Sequence, residues 1–280
     1  MIERSADRIA GWIAAACALS VLGLFGWLIA DLVGRGVTHL SWDLLTSEPM
    51  DAGRAGGIAP ILGSTGLILA IALVSAAPLG LATALFLAEI GRRHGRARRW
   101  VGGSLDLLAA VPSIAFGLFG NALFCRWLGM GFSILSGGLT LGCMILPWIT
   151  RTVEQHLRSV PESYRLGGAA LALSQSTILW RLIVPSARRG LVVGVVLGLA
   201  RAAAETAALI FTSGSVMRWP SSLFDSGRSV SVHIYEVALN VPGGGGAAYA
   251  SALVLLVSLI VIQSLASVLT EHWLGRGESA

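Results

Sequence analysis

The sequence predicts an all-α, polytopic membrane protein with six transmembrane helices. Three observations carry this reading. The 280 residues are 55% hydrophobic and only 12% charged, with a mean hydropathy of +0.76; a soluble domain carries about twice that charged fraction. Apolar runs long enough to cross a hydrocarbon core of about 30 Å recur along the chain. The charges collect between those runs, and every one of the 20 basic residues is Arg.

The first run, 9–33, follows a charged start as a signal peptide would. It is long for a signal core and no small-residue cleavage site clearly follows, so it is expected to stay as a signal-anchor helix. Segment 34–60 is rich in Gly, Pro and Ser and reads as an irregular outer loop. The second and third spans are expected over 61–86 and 101–124, separated by the basic stretch 92–99. A short turn at 128–131 leads to the fourth, 132–150. A mixed-polarity basic loop over about 150–189 is too polar for lipid; the fifth span, 190–212, follows it. A second irregular outer segment, 213–246, ends in Gly243, Gly244, Gly245 and Gly246 and leads to the sixth span, 247–269. Pro78, Pro112 and Pro147 fall inside predicted spans and should kink them. Gly117 with Gly120, and Gly194 with Gly198, give small faces where helices can approach closely. The chain thus divides into an N-terminal helix and outer loop, 1–60, and a core, 61–275.

Orientation follows from the arginines. Both termini, 92–99 and 150–189 are expected in the cytoplasm, which leaves Arg35, Arg54, Arg126, Arg218 and Arg228 outside. That arrangement explains a pI near 9.8 without nucleic acid. Cys17, Cys125 and Cys143 form no CxxC and pair with no His, which argues against a metal site or disulfide framework. There is no GxxxxGK[ST] loop, no GxSxG and no HExxH. If nucleotide drives this protein, a partner must bind it.

Arg201 and Glu205 stand four apart in the fifth span, where charge is expensive and usually functional. They read either as a structural ion pair or as a polar pathway, with Arg201 meeting an anion and Glu205 holding or releasing it. Arg151 and Glu154, three apart at the end of the fourth span, read as an interfacial pair. Asp106 could hydrate at the inner interface or pair with an Arg of the 92–99 cluster, and Glu89 reads as a boundary charge. His233 and Tyr235 lie in the outer segment, where a lone His is weak evidence for a ligand.

Five stretches then come in a recognisable order: GGIAPILGS (56–64), PSIAFGLFG (112–120), LPWITRTVEQHLRSVP (146–161), LGLARAAAETAALIFTSG (197–214) and VHIY (232–235). On these the chain resembles the PstA-type permease subunit of bacterial phosphate-uptake ABC transporters. The resemblance implies a type I ABC importer permease fold in the bacterial inner membrane. It implies a second homologous permease, two ATPase subunits carrying ATP and Mg, and an extracytoplasmic phosphate-binding protein. The partners would thus be these proteins and membrane lipid, and no cofactor would sit on this chain. It assigns Arg201, Glu205, Thr206, Arg151 and Glu154 to the substrate path. Coupling to the ATPase would involve Pro161, Arg165, Leu166, Ala170, Leu171 and Pro185, with an apolar face that includes Leu179 and Leu182. The family has a Glu at Leu166, a Gly at Ala172 and at Ala204, and a Pro at Ala208. The missing Glu leaves room for a non-transporting scaffold or regulator. A permease for sulfate or molybdate is the other alternative, and a secondary transporter is disfavoured because the halves show no convincing repeat.

Overall fold

A computed structural model describes residues 2–89 and 95–274, with side chains from 11 to 89 and from 95 to 268. Arg92, Arg93 and Arg276 of the orientation argument therefore lie outside the described residues. Among the described residues, four helices are long and apolar enough to cross a membrane: Gly11–Val37, Ala59–Ala88, Ile134–Ser159 and Gly245–Val268. There are six such spans if two bent pairs, Gly95–Ala110 with Ser113–Trp127 and Gln175–Ser186 with Arg188–Ala203, each count as one.

In chain order, α1 is Ile2–Val37, α2 is Trp42–Thr46, and a short hairpin pairs Pro49 with Gly56 and Met50 with Ala55. Next come α3 (Ala59–Ala88), α4 (Gly95–Ala110), α5 (Ser113–Gly120, continued as a wider π-turn to Trp127) and α6 (Ile134–Ser159). Then follow α7 (Glu162–Ala170), α8 (Gln175–Ile178), α9 (Val184–Ser186), α10 (Arg188–Ala203), α11 (Ala207–Ile210), α12 (Val230–Asn240) and α13 (Gly245–Leu274).

Helix α6 is the centre. Its spanning window is 67% buried, against 0% for α1 and 11% for α13. It lies between α3 and α10, and the main core joins Ile68, Ala72 and Ala76 of α3 to Leu141, Ile145, Ile149 and Val153 of α6. Ile149 is the wedge. A Cβ added at Gly80 of α3 or at Gly198 of α10 would each sit 2.9 Å from an Ile149 side-chain carbon. Only glycine lets both helices close on that side chain, as the small-residue spacing anticipates. Ser133 starts α6 by accepting the Ser136 N–H at 3.1 Å.

Three features differ from the sequence reading. The third span is not a kinked rod: α4 and α5 meet at 102°. Pro112 has an extended ψ of 143°, caps α5 and cannot continue α4 because it has no N–H. The fourth span runs nine residues further, so Arg151, Glu154 and Arg158 are on a helix rather than in a loop. The fifth span ends at Ala203, with 204–206 outside any helix. The outer segments also hold more order than expected, in α2, the hairpin and α12. Ser229 caps α12 by accepting the Val232 N–H, and the Val230 N–H donates to Thr65 of α3 at 3.0 Å.

Candidate functional site

Arg201 sits two residues before the end of α10, on an exposed face. Because the helix stops at Ala203, Glu205 does not fall one turn above it, and no ion pair joins the two among the described residues. Glu205 instead accepts the Ala208 N–H at 3.4 Å, and its own carbonyl accepts from Ser231 of α12 at 2.6 Å. Thr206 precedes α11 with no side-chain cap bond. The expected Arg201–Glu205 pair is therefore absent, because the break in the chain separates them. What Arg201 meets is Trp148 of α6: its guanidinium carbon lies 5.2 Å from the indole centroid. Sequence reading missed that contact, since nothing local links positions 53 apart.

Arg151 is the opposite case. It donates to Glu154 at 2.9 Å, to the Gly102 carbonyl at 2.9 Å and to Asp106 at 2.5 Å. Glu154, whose side chain is 6% exposed, also accepts from Arg158. The pair expected from sequence exists, but within a network that fastens α4 to α6. Among the described residues Asp106 pairs with Arg151, not with an arginine of the 92–99 stretch as the sequence suggested. These residues and Arg98, Arg99 and Gln155 line an open cleft of about 880 Å³ at the Arg-rich end of the bundle.

Among the coupling residues, Pro161 occupies the N-cap of α7, with ψ 140°. Leu166 and Leu171 are 65% and 75% exposed, and Ala170 is exposed beside them. Arg165 differs from the rest. Its side chain is 11% exposed, and it bonds Glu89 at 2.5 and 3.2 Å and the carbonyls of Val160 and Leu157. The Glu89 hydrogen bond, helped by its charge, holds that guanidinium above the ordinary arginine range against the opposing effect of burial. Arg165 thus ties α7 to the end of α3, and Glu89 is its anchor rather than a bare boundary charge. Leu179 packs toward the core and Leu182 lies within reach of Gly168, so neither belongs to the outward face. Trp180, 55% exposed, takes that place. Pro185 is exposed just before the 62° bend into α10.

The end of α7 explains one departure from the family. Leu173 N–H bonds the Gly168 carbonyl and Ala172 N–H bonds Ala169, which is a Schellman closure with Ala172 at φ +53°. That position favours glycine, and glycine is what the resembling family has there. Ala204, also a family Gly, has φ −83° and needs no such freedom. His233 is fully buried against Gly53 and makes no hydrogen bond through either ring nitrogen. Burial, with the Arg228 charge adding to it, pushes it down to about 4, so it packs as a neutral ring. No cluster of three metal-ligating side chains exists among the described residues.

A bundle built on one buried helix, bearing on the neighbouring helix an arginine that meets no carboxylate among the described residues and short outward-facing helices at its basic end, has the form of a transporter's membrane subunit. Residues 76–273 match the family described as the binding-protein-dependent transport system inner membrane component, and the chain belongs to that family. It is 32% identical over 267 residues to the phosphate transport system permease protein PstA of Yersinia pestis, covering 93% of this chain and 88% of that one. It is 28% identical to the probable ABC transporter permease protein YqgI of Bacillus subtilis, covering 98% and 95%. Its fold matches a chain in the crystal structure of a bacterial alginate ABC transporter, with a TM-score of 0.67 and 13% identity over 93% and 94% of the two chains. The all-α permease fold read from the sequence is the observed one, and the chain is a transporter subunit rather than an enzyme.

Proposed function

We propose that this chain is the permease subunit of an ATP-driven importer of inorganic phosphate, forming half of the translocation path beside a second homologous permease. The likeness to phosphate permeases along nearly the whole chain carries this reading. In it, both termini and the Arg-rich end face the cytoplasm, two partner ATPases supply ATP and Mg, and a phosphate-binding protein docks outside. Arg201 is the phosphate contact. Phosphate carries one to two negative charges at neutral pH, and entering a low-dielectric path unaided would be costly. A guanidinium offers parallel donors to its oxygens, which an ammonium does not. Arg201 has those donors uncommitted among the described residues, whereas Arg151 has spent its own. Glu205 and Thr206, in the break beyond Arg201, then act on release, the carboxylate repelling an anion that lingers.

Coupling runs through α7 and the turn after it. Leu166, Ala170, Leu171 and Trp180 are exposed apolar side chains of this segment, available to a groove on the ATPase. Ala170→Asp should uncouple ATP hydrolysis from uptake while leaving the protein in the membrane. The function itself is tested by returning the chain, with its cognate partners, to a permease-deleted host. Growth on limiting phosphate is expected. Uptake of sulfate or molybdate without phosphate would overturn the substrate, and assembly without any uptake would favour a scaffold.

A further inference from the structure

We infer that Trp148 is a positioning residue for Arg201, holding the guanidinium by its flat face so that its edges stay open to the anion. The inference rests on the reading of Arg201 as the phosphate contact. Its geometry begins with the helix crossing. Ile149 is wedged against Gly198, which sets one of the close approaches of α6 to α10. Trp148 precedes Ile149, and Arg201 lies three residues, about one turn, beyond Gly198. The crossing therefore brings the two residues together, with the guanidinium carbon 5.2 Å from the indole centroid.

The choice of ring over carboxylate has a consequence. An aromatic face attracts a cation through its quadrupole without carrying a net charge. A carboxylate, as at Arg151, binds the same N–H edges that a phosphate needs and cancels the charge. With its guanidinium carbon over the Trp148 ring, Arg201 meets no hydrogen-bond acceptor through its N–H groups among the described residues. The indole is 48% exposed on a helix that is otherwise mostly buried, so it is not a core residue placed there for packing. A lipid-facing Trp would need no arginine laid across it. The pair is an uncompensated cation kept in one orientation, which is what weak, repeatable anion contact requires.

The test is phosphate uptake by the whole complex in reconstituted vesicles, with assembled complex measured in parallel. Trp148→Leu removes the ring face and should raise the phosphate KM about fivefold while kcat and assembly hold. Trp148→Phe keeps a face and should recover most of the affinity. Parental KM in Trp148→Leu, with Arg201→Ala inactive, would overturn the positioning role and leave Arg201 as the anion contact. Normal uptake by Arg201→Ala would instead remove the underlying reading. Should Trp148→Leu fail to assemble, Trp148→Met fills the space with a flexible apolar chain and the same KM shift is expected. Failure of both to assemble would overturn the inference, because Trp148 would then be holding the fold.

Discussion

Arg151 and Arg201 stand on adjacent helices, and the family resemblance assigns both to the substrate path although the spacing alone reads Arg151 as an interfacial residue. Their surroundings are opposite. Arg151 meets two carboxylates and a carbonyl, and with Arg158 it surrounds a carboxylate that water scarcely reaches. Arg201 meets a ring face and, among the described residues, no carboxylate. Charge alone therefore does not mark an anion site. What matters is whether the donors are already committed, and that is decided by which helix ends, breaks and crosses where. In this chain the same residue type fastens one end of α6 and lies against a ring beside its middle.

The largest effect should come from Arg201→Ala, with phosphate uptake abolished and the complex still assembled, as read by vesicle transport and by co-purification. Breaking the other cluster should act differently. Arg151→Met leaves the buried Glu154 with Arg158 alone and should lower the stability of the assembled complex by about 3 kcal/mol, seen as an earlier thermal transition. Gly198→Leu would force α10 away from Ile149 at a cost of about 1–3 kcal/mol. It should also separate Trp148 from Arg201, so uptake affinity ought to fall together with stability, joining effects that the two arginine variants keep apart. The smallest change, Ala172→Gly, relieves a left-handed alanine after α7 and should stabilise the coupling segment by about 1 kcal/mol, measured by protease resistance of that loop.

The fold was largely legible because lipid imposes a simple code. Apolar runs gave the spans, and the small faces at Gly117, Gly194 and Gly198 gave the tight contacts that the structure contains. The helix breaks were harder. Pro78 and Pro147 leave their helices continuous while Pro112 turns its chain by 102°. All three lack the same N–H; α3 and α6 are braced against each other along their length, whereas Pro112 takes an extended backbone where α4 gives way to α5. The site was half legible. Arg151–Glu154 is a local spacing and could be read; Arg201–Glu205 is also a local spacing, and it misled because the helix stops between them. Trp148, Glu89 and Asp106 act through partners on other helices. A periodicity argument reads one helix at a time and cannot see them.

The most direct test sets the two arginines against each other with the charge conserved. Arg151→Lys and Arg201→Lys would be compared for phosphate KM and for the thermal transition of the assembled complex. The account predicts that Arg201→Lys raises KM sharply with the transition unmoved, because an ammonium cannot present paired donors. It predicts that Arg151→Lys lowers the transition with KM unmoved, because one ammonium cannot span Glu154, Asp106 and Gly102 together. A raised KM in Arg151→Lys beside parental transport in Arg201→Lys would contradict it.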